Sequence, residues 1–213
     1  MQLNHPSLSR RWVNYFLRSD QLRKRLMLFI DGSNLFYDWK KTNSASQLDI
    51  EKYINYIKSK HPGVDFVRTY YFVSETTSNG AFLKQINKIP FCQVITGRLQ
   101  EKTVKIESGH NLRCSSCGGV VTGSISVQTD KGTDVNIAVE MLKHAYNNVY
   151  DLAILVSRDA DFAGVVKIIK NLGKNVELVL LETSKSSAQE LTDTVDDVLV
   201  IPSADDASLC RVP

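Results

Sequence analysis

The chain has 213 residues, 43% of them hydrophobic and 23% charged, with a net charge of +3. That length and mix suit one soluble globular domain with room for an extra element, and no apolar run approaches the length of a membrane span. The charge is too small to imply nucleic acid by itself and four cysteines do not make a disulfide scaffold. The start, Met1-Gln-Leu-Asn-His-Pro6, lacks the parts of a secretion signal, so a cytoplasmic location is expected.

Residues 7–24 carry Trp12, Val13, Phe16 and Leu17 at helical spacing, which predicts an N-terminal helix within a basic extension, residues 1–25. Arg10, Arg11, Arg18, Arg23, Lys24 and Arg25 crowd that stretch against one acid, Asp20. Its plainest role is a docked helix with a solvated basic face; an arm touching phosphates is the alternative. The body, residues 26–201, then alternates strand with helix. Leu26–Ile30 reads as a strand buried on both faces, followed by a helix over about 33–41. A second helix runs from Asp49 to Lys60 and stops at His61-Pro62-Gly63. Asp65–Val73 reads as a strand, Gly80–Lys88 as a helix, and Phe91–Ile95 as a strand. Residues 97–128, rich in glycine and holding Cys114 and Cys117, break the rhythm and read as a small β insertion.

Helix returns over Thr133–Asn147, with Val135, Ala138, Val139, Leu142, Ala145 and Tyr146 as the expected apolar stripe. A strand at 152–156, a helix at 161–172, a strand at 175–181, a helix at about 186–194 and a short strand at 198–201 follow. The tail, 202–213, is expected to fray. Repeated strand–helix units imply a mainly parallel sheet with helices on both faces.

Four aspartates carry the chemistry of this pattern. Asp31 directly follows the first strand, and Asp159 and Asp161 follow the strand at 152–156. Asp134 opens the helix at 133. Each alone suits a helix N-cap. Together they sit where ligands bind in an open α/β sheet, outside the carboxyl ends of the strands. Carboxylates held close together need a counter-charge, and Mg²⁺ or Mn²⁺ with oxygen ligands supplies it. Water activated at such a site can attack a phosphodiester in line. A glycine-rich phosphate loop ending in lysine is absent, which removes a nucleoside-triphosphate motor.

Phe29-Ile-Asp-Gly-Ser-Asn-Leu35, Asp130-Lys-Gly-Thr-Asp-Val135 with Ala138-Val-Glu-Met-Leu142, and Leu155-Val-Ser-Arg-Asp-Ala-Asp-Phe162 resemble the NYN domain, in its LabA-like branch, within the PIN-like nuclease superfamily. The resemblance covers roughly residues 26–201. It implies a three-layer α/β/α PIN-like (Rossmannoid) domain and a metal-dependent nuclease site directed at RNA. Carried over by motif, Asp31, Asp134, Asp159 and Asp161 are the metal-binding and catalytic acids. Asn34 and Ser157 are supporting polar groups, and Lys131 is a phosphate contact. Arg158 stands where the family more usually has a small residue; it would touch substrate phosphate, or pair with an acid and weaken the metal site.

Cys114-Ser-Ser-Cys117 has the spacing of half a zinc site, which Cys92 and His110 would complete within one chain. Two half-sites meeting across a homodimer are a second option, and a pair of reduced thiols with Cys92 buried in its strand is the third. Phe36, Tyr37 and Trp39 are expected to serve packing first, with base stacking by Tyr37 or Trp39 as the alternative. Two other functions share the same acids: a catalytically weak nucleic-acid-binding or regulatory module, and a phosphatase on small nucleotides.

Overall fold

A computed structural model of the protein describes residues 23–210 apart from 77, 107–112, 114 and 120–122. The predicted N-terminal helix therefore lies outside the described residues, except that Arg23 and Lys24 are not helical. The described residues form a seven-stranded sheet in the order β4-β3-β2-β1-β5-β6-β7. Its strands are β1 (Arg25–Asp31), β2 (Asp65–Ser74), β3 (Cys92–Ile106), β4 (Gly123–Lys131), β5 (Leu152–Val156), β6 (Asn175–Leu181) and β7 (Asp197–Ile201). All neighbours pair in parallel except β3 with β4, which are antiparallel.

The short apolar strands explain the three layers. Along β1, Met27 and Phe29 point into one core while Leu26, Leu28 and Ile30 point into another, all of them buried. Alternation of side chains along a strand makes this unavoidable, and both faces must be covered. The first core is closed by α4 (Thr133–Tyr146) and α5 (Ala163–Asn171). The second is closed by α1 (Gly32–Thr42), α2 (Ile50–Ser59) and α3 (Gly80–Ile86). Asp31 continues the β1 alternation past Phe29 and so belongs to the α4/α5 side.

One glycine lets the first strand turn into its helix. A Cβ on Gly32 would stand 2.6 Å from the Tyr71 ring and 2.7 Å from the Phe72 carbonyl oxygen, so α1 can start against β2 only with no side chain there. Gly132, at φ +89°, supplies the left-handed turn that carries β4 into α4.

Three expectations are corrected. The strand at 91–95 and the start of the insertion are one continuous strand: β3 pairs with β2 over Cys92–Gly97, then with β4 over Arg98–Ile106. The insertion is thus an arm that prolongs the sheet for nine residues, about 30 Å. On α4 the buried face is Thr133, Ile137, Met141 and Ala145, while Val135, Val139 and Tyr146 are exposed. The helix carries two apolar stripes, and the one spaced by four residues faces the sheet. The tail does not fray at Ser203. It forms a turn and a short helix, Asp206–Leu209, tied to α2 and its N-cap. Asp49 N–H donates to the Leu209 carbonyl at 2.9 Å, Lys52 Nζ to that of Cys210 at 2.8 Å, and Tyr56 Oη to Asp205 at 2.7 Å.

Two buried or half-buried acids are matched at the amino end of the sheet. Asp151 accepts from Arg25 N–H at 2.9 Å and from its guanidinium at 2.9 and 3.0 Å, which holds its carboxyl well below the usual range. Glu177 on β6 meets His61 Nε2 at 2.9 Å, while His61 Nδ1 contacts the Ile57 carbonyl.

The contact at Gly32 yields a test. Gly32→Ala should lower unfolding stability by about 1–3 kcal/mol, the usual cost of forcing a methyl into a packed site. Urea melts of the two proteins measure this; an unchanged midpoint would mean α1 can shift freely off β2.

Candidate functional site

Asp31 ends β1 and caps α1. Its Oδ1 accepts the Asn34 backbone N–H at 3.0 Å and its Oδ2 accepts Asn34 Nδ2 at 2.6 Å. The sequence Asp-x-x-Asn at a helix start therefore builds a local cradle. From the neighbouring parallel strand, Ser157 donates to Asp31 Oδ2 at 3.1 Å and accepts the Asp159 N–H at 3.2 Å. Ser157 is buried and joins the ends of β1 and β5. Asp159 caps the turn Ala160–Phe162 by accepting the Asp161 N–H at 3.0 Å.

The electrostatics single out Asp31. It is 2% exposed, and burial raises its pKa above the ordinary aspartate value. Hydrogen bonds from Asn34 and Ser157 oppose that rise, and the Asp159 charge adds to it. A buried carboxylate facing a second carboxylate is destabilised unless a cation joins them.

The structure brings Asp31, Asn34, Ser157 and Asp159 together and leaves other expected members apart. Asp161 is exposed, and the group it offers to Asp159 is its backbone N–H. Asp134 is exposed in the first turn of α4. The start of α4 is seated by Thr133, whose hydroxyl comes within 3.5 Å of that of Ser74 at the tip of β2. Among the described residues no three His, Cys, Asp or Glu side chains gather closely enough to hold a metal ion. The expected four-acid cluster is therefore a pair, Asp31 and Asp159, with Asp134 and Asp161 outside it. That donor set fits a magnesium-like ion, which uses one or two carboxylates and keeps its waters, and does not fit an all-protein cage.

Arg158 settles between its two expected roles. Its Nε lies 2.9 Å from Asp38 Oδ1 of α1, close in charge but not aligned for a hydrogen bond. Asp38 is buried, also pairs with Lys41 at 2.8 Å, and is none of the four acids. The pairing therefore leaves the charge of the site intact and ties the two strand ends that carry Asp31 and Asp159. Sequence reasoning missed Asp38. The available signal was its position four residues after Asn34, on the same helical face. Lys131 is exposed at the root of the arm, opposite Arg98 on β3, so two cations stand side by side there.

For zinc, His110 and Cys114 lie outside the described residues, and Cys117 is exposed in the connection between β3 and β4. Cys92 sits at the other end of β3, half-buried, its thiol pushed up to about 11 by burial. Fourteen residue steps of strand, about 45 Å, separate it from the end of β3 that leads to Cys117. Cys92 is not a partner of Cys117 within one chain. Cys92→Ser should leave the zinc content of the purified protein unchanged by atomic emission; a loss of metal would restore Cys92 as a ligand.

The NYN domain model matches residues 25–202, the whole span from β1 through β7. The chain belongs to the NYN domain family. This places it among the PIN-like nucleases, which typically use divalent metal ions. No curated protein sequence matches it. Among solved structures, it is similar to a protein of unknown function, VPA0982, from Vibrio parahaemolyticus, with a TM-score of 0.60 and 17% identity over 90% of this chain and 99% of that one. That likeness shows a shared three-layer fold. No helix among the described residues is long and apolar enough to cross a membrane.

The burial of Asp31 in this NYN domain has a measurable consequence. With its folded pKa above the unfolded one, ionised Asp31 costs stability: the cost grows as pH rises past the unfolded value and is complete above the folded one. In metal-free buffer at neutral pH, Asp31→Asn should therefore raise Tm. The gain should vanish below the unfolded carboxylate pKa. A lower Tm at neutral pH would show that the carboxylate stabilises the fold.

Proposed function

We propose that this NYN protein is a metal-dependent nuclease that hydrolyses phosphodiester bonds in RNA. The observation that carries the reading is the buried Asp31, held beside Asp159 by a shared serine at the carboxyl edge of a parallel sheet. An acid kept in so costly a place, within a family of nucleases, is best explained by the cation and substrate it serves.

Asp31 and Asp159 would hold Mg²⁺ or Mn²⁺, which when bound supplies a nucleophile at neutral pH and charge stabilisation for the phosphoryl oxygens. Asn34 and Ser157 fix the one carboxylate of Asp31 in a set orientation, so it needs little reorganisation when substrate binds. Asp161 and Asp134, both exposed, would accept a proton from water or join the site when a phosphate bridges it. Arg98 and Lys131 at the arm root offer charge to neighbouring phosphates.

One observation favours a second reading. A site with two gathered carboxylates, not three, suits a nucleic-acid-binding module with weak turnover. Incubation of labelled single-stranded RNA with the full chain, in Mn²⁺, Mg²⁺ or chelator, separates the two. Cleavage should require metal and fall at least about 100-fold in Asp31→Asn and Asp159→Asn, on the scale of losing a principal electrostatic group. Asp161→Asn should lose less. Metal-independent cleavage, or undiminished rates in both principal variants, would overturn the assignment; binding without cleavage would leave the module.

A further inference from the structure

A groove of about 900 Å³ opens at the same edge of the sheet, between α1, α3 and the root of the arm. Its walls include Phe36 and Tyr37 from α1, Phe82 from α3 and Leu99 from β3, with Tyr71 as part of the floor. Phe36 is 53% exposed, Tyr37 64% and Phe82 36%. These rings are not needed by the core, because α1 already buries Leu35 and Trp39, and the Trp39 indole donates to the Ser46 carbonyl. Phe36 and Tyr37 meet edge to face at 5.5 Å, as do Phe82 and Tyr71 at 6.3 Å, which leaves ring faces open to the groove.

The lining says what would lie there. Lys40 is its cation, and the ammonium is engaged by the carbonyls of Ser44 and Ser46. The groove therefore offers aromatic faces and neutral hydrogen-bonding groups such as Ser78 and Gln85, in place of free charge. The charge stands next to it. Arg98 and Lys131, both exposed, are paired across the arm root, one residue from Leu99 of the groove wall. Gly32 and Ser33, immediately after Asp31, line the groove, and so does Ser74, whose hydroxyl approaches Thr133 on the acid side. A polyanion with detachable flat rings matches the rings and the neighbouring cations at once.

The geometry points to this groove as a subsite for unstacked nucleobases of a single-stranded RNA whose phosphate lies at Asp31 and Asp159. Phe36, Tyr37 and Phe82 are the stacking platform, and the subsite tolerates any base because each has a π-face. It selects single strands, since a paired base cannot leave its stack to enter. This deepens the nuclease reading and rests on it for the position of the phosphate, while base capture is measured without cleavage.

Fluorescence anisotropy of the full chain with a short labelled single-stranded RNA, in chelator, tests it. Tyr37→Ala and Phe82→Ala should each weaken binding roughly tenfold, the scale of one base–aromatic stack. Tyr37→Phe and the control Tyr146→Ala, an exposed tyrosine on α4, should bind as wild type does. An oligomer of the same length built of abasic residues should bind wild type and Tyr37→Ala equally. Because Tyr37 is largely exposed, its removal leaves the fold in place even where Phe82→Ala does not. Equal weakening for both oligomers, no weakening for either, or a change in sedimentation of the free protein (a self-association surface) would overturn the subsite. Cleavage by wild type in Mn²⁺ is scored separately: base-dependent binding without cleavage removes the nuclease reading alone, and cleavage without base-dependent binding removes the subsite alone.

Discussion

Everything at the functional edge depends on a carboxylate placed where solvent cannot reach it. Asp31 follows five buried residues of the central strand, so it inherits their position between two helical layers. Its charge is carried by three donors, two from Asn34 and one from Ser157, and is opposed by Asp159. The same serine that supports Asp31 also orders the backbone of Asp159. Two strand ends are thereby locked to each other through one hydroxyl, and the Arg158–Asp38 contact fastens them a second time.

Much of the fold is legible because buried parallel strands have a strong signature. Leu152–Val156 and Asn175–Leu181 carry apolar runs of strand length between turn residues, and the structure has both with those bounds. The failures share a cause: local pattern does not reveal which partner a segment meets. Nothing before Gly97 or after it shows that β3 changes from a parallel neighbour to an antiparallel one without a break. On α4, Val135 and Val139 are as apolar as Ile137 and Met141, and only the sheet decides which set is covered. The tail after Ser203 looks polar and short, yet backbone and side-chain bonds to α2 and its N-cap hold it.

At the site, the local motifs were readable and the distances were not. Asp31 with Asn34, and Ser157 with Asp159, lie within a few residues of each other at helix starts, where capping chemistry is visible in the sequence. Asp134 and Asp161 look equivalent to them in one dimension, but exposure separates them. Asp38 is the converse: an unremarkable acid among aromatics until the fold brings Arg158 to it. Cys92 and Cys117 share thiol chemistry that the sequence shows, but the length of β3 that parts them shows only in the fold.

The continuity of β3 makes its first half a ruler for its second. Pairing of Cys92–Gly97 with β2 fixes which way every later side chain of the arm points. Loss or gain of a single residue inside that paired stretch would exchange Arg98 and Leu99 between the two faces of the sheet. Lengthening the connection beyond Ile106 would not. Evolution can therefore restyle the far end of the arm at will, while the first six positions of the strand hold its phase.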